Sequence, residues 1–279
     1  MKNRSFALLY AALLTPLGVQ AAPPVAPAVA ALSYADLADL AVPAPVVATA
    51  TITKAQKLSA EESPGLAPGK VRFYVFAKVD GLLRGASGLP AEVSYLVDLP
   101  LDARGKAPKP RNQRVILFAS VAGGRPGEIR LTTQDGQVAW TAEAEATLRK
   151  ILTEALGSKA PPVVTRVGNA FHVPGTLPGE GETQVFLQTA DSRPVSLSIL
   201  RRPDEQPRFA VALGELVDEA AGPPQRDTLL WYRLACTLPQ NLPLTSTANL
   251  SADEAELARA DYQVVVRALG PCVRTRAAR

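Results

Sequence analysis

His172 is the single histidine of this 279-residue chain, so a Ser-His-Asp or Cys-His mechanism would have to be built on it. A nucleophile elbow of the form G-x-S-x-G is absent, and no serine precedes a lysine by three positions. His172 falls in Phe171-His172-Val173-Pro174-Gly175, at an expected strand end, and is read as a structural histidine. Paired carboxylates are the other hydrolytic possibility. Glu180, Glu182 and the Asp218–Glu219 pair suggest it, but they sit beside loops or a helix start, where solvated carboxylates are common. Gly65-x-x-x-Gly69-Lys70 has the outline of a phosphate loop, one residue short. Val71 stands where serine or threonine would hold Mg²⁺, so the stretch is read as a Pro/Gly loop. One histidine and two cysteines do not make a typical zinc or transition-metal ligand set, there is no D-x-D-x-D-G calcium loop, and no cofactor is implied.

Cys236 and Cys272 are read as a structural disulfide: there is no C-x-x-C, and the wide spacing does not suit a redox pair. For binding rather than catalysis, two clusters stand out, Arg201–Arg202 and Trp231–Tyr232–Arg233, because arginine and aromatics are favoured at recognition surfaces. The competing reading places Trp231 in the core and leaves Arg201 and Arg202 as solvated strand-end charges. Tyr74 and Phe76, with Phe73 beside them, form a third set that could offer a stacking face or pack inside. The basic tail of Arg274, Arg276 and Arg279 is read as a frayed, solvated terminus.

These residues need elements to position them. Ser33-x-x-Asp36 matches a capping box and opens a short helix over about 34–41, ended by Pro43. Alternating segments follow at Val46–Leu58, Val71–Leu83 and Ala91–Leu99, each the pattern of a half-buried strand. Arg114–Val121 is apolar on both faces and reads as a central strand. Gln134-Asp135-Gly136 predicts a tight hairpin between 128–133 and 137–140. Thr141 caps a helix to Leu156, closed by Gly157. Beyond 159–162, short strands are expected at 171–173, 184–189, 195–201 and 209–213. Two helices end the chain. Asp227 is expected to cap the first, and Ser251-x-x-Glu254 opens the second, with Leu257, Tyr262, Val265, Val266 and Leu269 inward and Gly270–Pro271 as its stop. A bridge between Cys236 and Cys272 would tie the end of one helix to the end of the next.

The first 21 residues say where the chain goes. Lys2 and Arg4 precede a nine-residue apolar run, Phe6–Leu14, and Val19-Gln20-Ala21 places small residues at a cleavage point, which is the layout of a secretory signal peptide. The run is far shorter than the ~20 apolar residues of a membrane span. Residues 22–32 read as a mobile Ala/Pro spacer. Removing Lys2 and Arg4 with the leader lowers the formal net charge from +4 to +2, and with both signs interspersed no nucleic-acid footprint stands out.

The order of elements over 33–158, carried by DLADLAVPAPVVATATITK (36–54), VRFYVFAKVDGLLRG (71–85) and RVILFASV (114–121), resembles an OB-type small barrel of the netrin/TIMP-like kind. TIMP-like inhibitors reach a catalytic metal through an amino-terminal cysteine, which this half lacks, so that activity does not carry over. The segments SYADLADLA (33–41), ETQVFLQTADSRPVSLSILRRP (182–203), DTLLWYRLACTLP (227–239) and ALGPCVRTR (268–276) resemble a family of uncharacterised exported proteins of sphingomonad-like proteobacteria, a likeness that implies no activity. The expectation is therefore an α+β protein: an OB-like five-stranded barrel with flanking helices at 33–158, then a smaller α/β unit at 163–279 ending in a disulfide-tied helix pair. The expected role is a soluble, exported, non-enzymatic binding or accessory protein engaging an envelope component or protein, without a membrane span or nucleic-acid partner. The alternatives are a carboxylate-dependent hydrolase of envelope polymers and a proteinaceous inhibitor.

Overall fold

Two antiparallel sheets and four helices make up the computed structural model, which describes residues 31–123, 125, 127–214 and 222–276. The leader and all but the last two residues of the Ala/Pro spacer lie outside the described residues, as do Asp218, Glu219 and Arg279. The fold is α+β, and from Leu32 onward the described residues form one compact unit.

The capping box at Ser33 forms as the sequence predicts. The Ser33 hydroxyl accepts from the Asp36 N–H, the Asp36 carboxylate accepts from the Ser33 N–H, and α1 runs Tyr34–Ala41. Strand β1 (Val46–Lys57) then pairs antiparallel with β2 (Lys70–Arg84) on one side and with β4 (Arg114–Val121) on the other, and β3 (Glu92–Pro100) extends the sheet beyond β2. The clean alternation expected of β1 is not kept: residues 53–57 are exposed or half-buried, with a register shift between Ile52 and Lys54. Val46–Ala50 is buried on both faces, because Val46 and Ala50 line the inside of the curled sheet while Val47 meets the helices. Register shifts along the β1–β2 ladder accompany this bend.

The hairpin predicted at Gln134-Asp135-Gly136 does not form. Strands β5 (Ile129–Leu131) and β6 (Gln137–Ala139) both pair with β4 and not with each other, so they are two pieces of one interrupted edge. The Asp-Gly pair serves as the interruption. The Phe118 N–H donates to Gly136 O at 2.8 Å, and a Cβ on Gly136 would stand 2.9 Å from Phe118 O, so only glycine allows the backbone this close. The ends of the sheet, β3 and β5, meet through an isolated parallel bridge, Ser94 to Glu128, with the Ser94 N–H donating to Gly127 O at 2.8 Å. Among the described residues no ladder closes the sheet into the expected five-stranded barrel.

Helix α2 (Ala142–Leu156) starts on its Thr141 cap and buries Leu148, Ile151 and Leu152 in the apolar cluster that also holds Val47 of β1 and Ile116 and Phe118 of β4. A second sheet follows as a meander, β7 (Val164–Pro174), β8 (Gly181–Thr189), β9 (Val195–Arg201) and β10 (Arg208–Ala212), longer at its start than the sequence suggested. Its inner face, Val185, Leu197, Ile199 and Phe209, joins the same core as α1 and α2, so one apolar cluster runs through both halves of the chain. Helix α3 (Leu229–Ala235) is capped by Thr228 and not by Asp227: the Thr228 hydroxyl accepts from the Trp231 N–H. Helix α4 (Ala252–Leu269) keeps its Ser251–Glu254 capping box and lies on the second sheet through Ala258, Asp261, Tyr262, Val265 and Leu269, whereas Leu257, expected inward, faces solvent. Among the described residues no helix is long and apolar enough to cross a membrane.

Cys236, the last cap of α3, is bonded to Cys272, two residues past the Gly270 stop of α4, with Cα atoms 5.1 Å apart. This bridge corrects the reading of the tail. Residues 274–276 run as a strap over the start of α1: Arg274 forks onto Asp39 through Nε at 2.6 Å and Nη2 at 3.1 Å, and the Thr275 hydroxyl and N–H donate to Asp36 at 2.6 and 2.9 Å. The Arg276 N–H adds a bond to Asp36, and its guanidinium pairs with Asp135. Asp36 and Asp39 share one face of α1, three residues apart, and the disulfide delivers the tail to that face.

The strap has a measurable pH signature. Burial pushes the Asp36 carboxyl up, but hydrogen bonds from the Thr275 hydroxyl and N–H and from Ser33 outweigh it and hold its pKa at about 2. The folded pKa is therefore depressed, so the stabilisation is complete above the unfolded value near 4 and is lost as pH falls through 2. Asp36 is expected to contribute roughly 2 kcal/mol that disappears across this window. Urea unfolding of Asp36→Asn at pH 2 to 7 should show a shallower acid limb than the parent; parallel limbs would reject the assignment.

Candidate functional site

Two places gather the polar and aromatic residues singled out by sequence. The first is buried between the second sheet and α4. Asp261 is 0 % exposed and accepts from the Thr183 hydroxyl and from Nε of Arg201, while His172 Nδ1 lies 2.8 Å from Thr183 Oγ1 and 3.9 Å from the carboxylate. Thr183 has one hydroxyl proton and gives it to Asp261, so the proton between His172 and Thr183 sits on His172 Nδ1. Each member comes from a different element: His172 from β7, Thr183 from β8, Arg201 from β9 and Asp261 from α4. Gly181 makes room for the ring, since a Cβ there would stand 3.0 Å from His172 Cε1.

In the chain Arg201–Asp261–Thr183–His172 the hydroxyl stands between carboxylate and imidazole, which is not the carboxylate–imidazole–hydroxyl order of a nucleophile relay, and that hydroxyl is sealed: Thr183 is 0 % exposed. Geometrically it is a clamp that satisfies a buried carboxylate and fixes α4 on the sheet. His172 thus occupies a buried position with a hydrogen-bond partner. Asp261, its anchor, was missed by sequence reading. The available signal was one charge within the apolar stripe Ala258, Tyr262, Val265 and Leu269 of an amphipathic helix.

The second place is the outer face of the first sheet. Phe73 points into the curled sheet and is buried, whereas Tyr74 and Phe76 are half-buried on the opposite, solvent side of β2. Their rings meet edge to face at 5.0 Å, and the Lys54 ammonium lies 5.5 Å from the centre of the Phe76 ring. Tyr74 donates its hydroxyl proton to Ser94 at 3.0 Å, Leu96 stands exposed across the ladder from Tyr74, and Arg72 forks onto Asp98 at 2.6 and 2.8 Å. That ion pair draws the Asp98 carboxyl below its ordinary range, first through the Arg72 hydrogen bonds and against its own burial. The result is an aromatic ridge with a cation on one flank and a rigid ion pair at one end.

The other sequence candidates are not brought together. Trp231 is 3 % exposed, stacks edge-on against Tyr34 and donates its indole N–H to Leu269 O at 2.8 Å, so it presents no surface for recognition. Tyr232 donates to Asp39 at 2.7 Å and belongs to the strap. Arg233 is partly buried, which lowers its pKa. Arg201 is held in the clamp, and Arg202 is exposed at the turn after β9. Glu180 folds back on its own turn, accepting from the Thr176 and Leu177 N–H groups, and Glu182 accepts from Gln184 and Ser198 on the outer face of the second sheet. No protein-family model and no curated protein matches the chain.

Proposed function

We propose that the protein is an exported, non-enzymatic binding or accessory component of the cell envelope, and that it engages an extended envelope polymer through the outer face of β1, β2 and β3. The observation that carries the reading is the Tyr74–Phe76 pair with Lys54 beside it, because paired aromatic rings held on a strand and left in contact with water offer a stacking platform. Val71, Phe73, Val75 and Ala77 of β2 fill the inside of the curled sheet, so this ridge is not needed to fill that core. An OB-like barrel over 33–158, with the second sheet and α3–α4 as its companion at 163–279, is the architecture we favour. The strand order β3-β2-β1-β4-β5 and the parallel bridge between β3 and β5 support it. Export is supported by the charged, apolar and small-residue blocks of residues 1–21, and the Cys236–Cys272 bridge suits an oxidising compartment.

The test is cosedimentation of the purified protein with isolated peptidoglycan sacculi. Retention is expected, and Tyr74→Ala/Phe76→Ala should weaken it by about tenfold, equal to roughly 1.4 kcal/mol, at a temperature where circular dichroism shows the variant still folded. Unchanged retention in the double variant would overturn the assignment of this face. Protein recovered from the periplasm should have an intact mass lacking residues 1–21; an uncleaved mass would contradict export by this leader.

A further inference from the structure

We propose that the cleft between α4 and the turn joining β9 to β10 binds the phosphate group of a small phosphoester, at a site separate from the aromatic ridge. Arg201 opens the argument. Its Nε is committed to buried Asp261, which fixes the plane of the guanidinium, while its two terminal nitrogens have no hydrogen-bond partner among the described residues. The side chain keeps 28 % of its surface open, and it lines a cleft of about 610 Å³. A guanidinium that is pre-oriented, with two free parallel donors facing a cavity, matches an oxyanion edge without further ordering.

Arg267 enters the same cleft from the last turn of α4 and has no ion-pair partner among the described residues, and Gln206 adds an amide from the opposite turn. Asp261 neutralises one arginine, so Arg267 leaves the cleft with a net positive charge. The end of α4 does not oppose an anion strongly, since Val266 O accepts from the Gly270 N–H and Leu269 O from Trp231. Ala260, Val264 and Pro207 supply apolar walls. Donors at one side and apolar walls at the other suit an organic phosphoester better than a bare ion. Such a group reaches this protein either as a free metabolite or as the headgroup of an anionic lipid, and the two sources share the recognised chemistry.

Calorimetric titration of the purified protein with sn-glycerol 3-phosphate, and flotation with phosphatidylglycerol-containing phosphatidylcholine vesicles, separate the sources. Binding to glycerol 3-phosphate assigns a free phosphoester; binding only to the anionic vesicles assigns a lipid headgroup. In either case Arg267→Gln should weaken the interaction by about tenfold or more at unchanged melting temperature, because Arg267 is exposed and has no ion-pair partner among the described residues. Arg201→Lys keeps a cation beside Asp261 but removes the fork, and should weaken binding to a similar degree. Lys109→Gln, an exposed charge on the 102–113 loop, should leave it within about twofold. No binding of either probe, an unaffected Arg267→Gln, or equal loss in Lys109→Gln would overturn the proposal.

Discussion

Replacing Arg201 with alanine is expected to lower the unfolding free energy by roughly 3–5 kcal/mol, among the largest single-residue effects in the molecule. The reason is asymmetry of burial. Asp261 is fully enclosed, whereas Arg201 keeps part of its guanidinium in water. Removing the arginine leaves a carboxylate with only the Thr183 hydroxyl for company in a region that water does not reach. Removing the carboxylate instead, as Asp261→Asn, preserves shape and lets Arg201 turn to solvent, so the loss should be smaller. Replacing both partners with apolar residues should recover part of the deficit, because no uncompensated charge then remains. Urea denaturation of the three variants measures the ordering. If Asp261→Asn proves as costly as Arg201→Ala, the clamp is held mainly by hydrogen bonding of His172 and Thr183 and not by the ion pair.

The second large effect is that of the disulfide. Cys236→Ser/Cys272→Ser is expected to lose roughly 3–4 kcal/mol, since a bridge across 36 residues restricts the unfolded chain by about that much on the loop-entropy model. The denaturant slope should rise at the same time, as the unfolded state becomes less compact. A further consequence follows from the strap. Asp36 and Asp39 receive Thr275, Arg276 and Arg274 only because Cys272 is pinned beside α3, so part of the Asp36 contribution should vanish in the double serine variant. Combining it with Asp36→Asn should therefore cost less than the two separate losses added together. Strict additivity would mean that the strap finds α1 without the covalent tether.

Legibility in the sequence followed the range of the interactions. Elements governed by neighbours a few residues apart were read well: both capping boxes and the Thr141 cap are decided by side chains that reach their own backbone, and the Gly270 stop by a positive φ that glycine adopts freely. The turn at Gln134–Asp135 forms, with the Gly136 N–H donating to Thr133 O, but the hairpin does not, because β4 offered its edge to both flanking segments and the turn became a gap in one strand. Tyr74 and Phe76 illustrate the same limit. Alternation placed them opposite Phe73 and Val75, but whether another layer covers that face is a property of the packing.

By itself, then, the sequence determined the α+β class, most of the helix boundaries set by caps and the cysteine partnership. Tertiary structure alone decided what the basic residues do. Arg201 became half of a buried pair with a free fork, Arg274 and Arg276 became a strap on α1, and Arg267 was left facing a cleft. The physical reason is that a charge carries no local preference for its partner. Its energy depends on which opposite charge and how much water the completed fold places within a few ångströms, and those neighbours lie 60 residues away for Arg201 and 235 for Arg274.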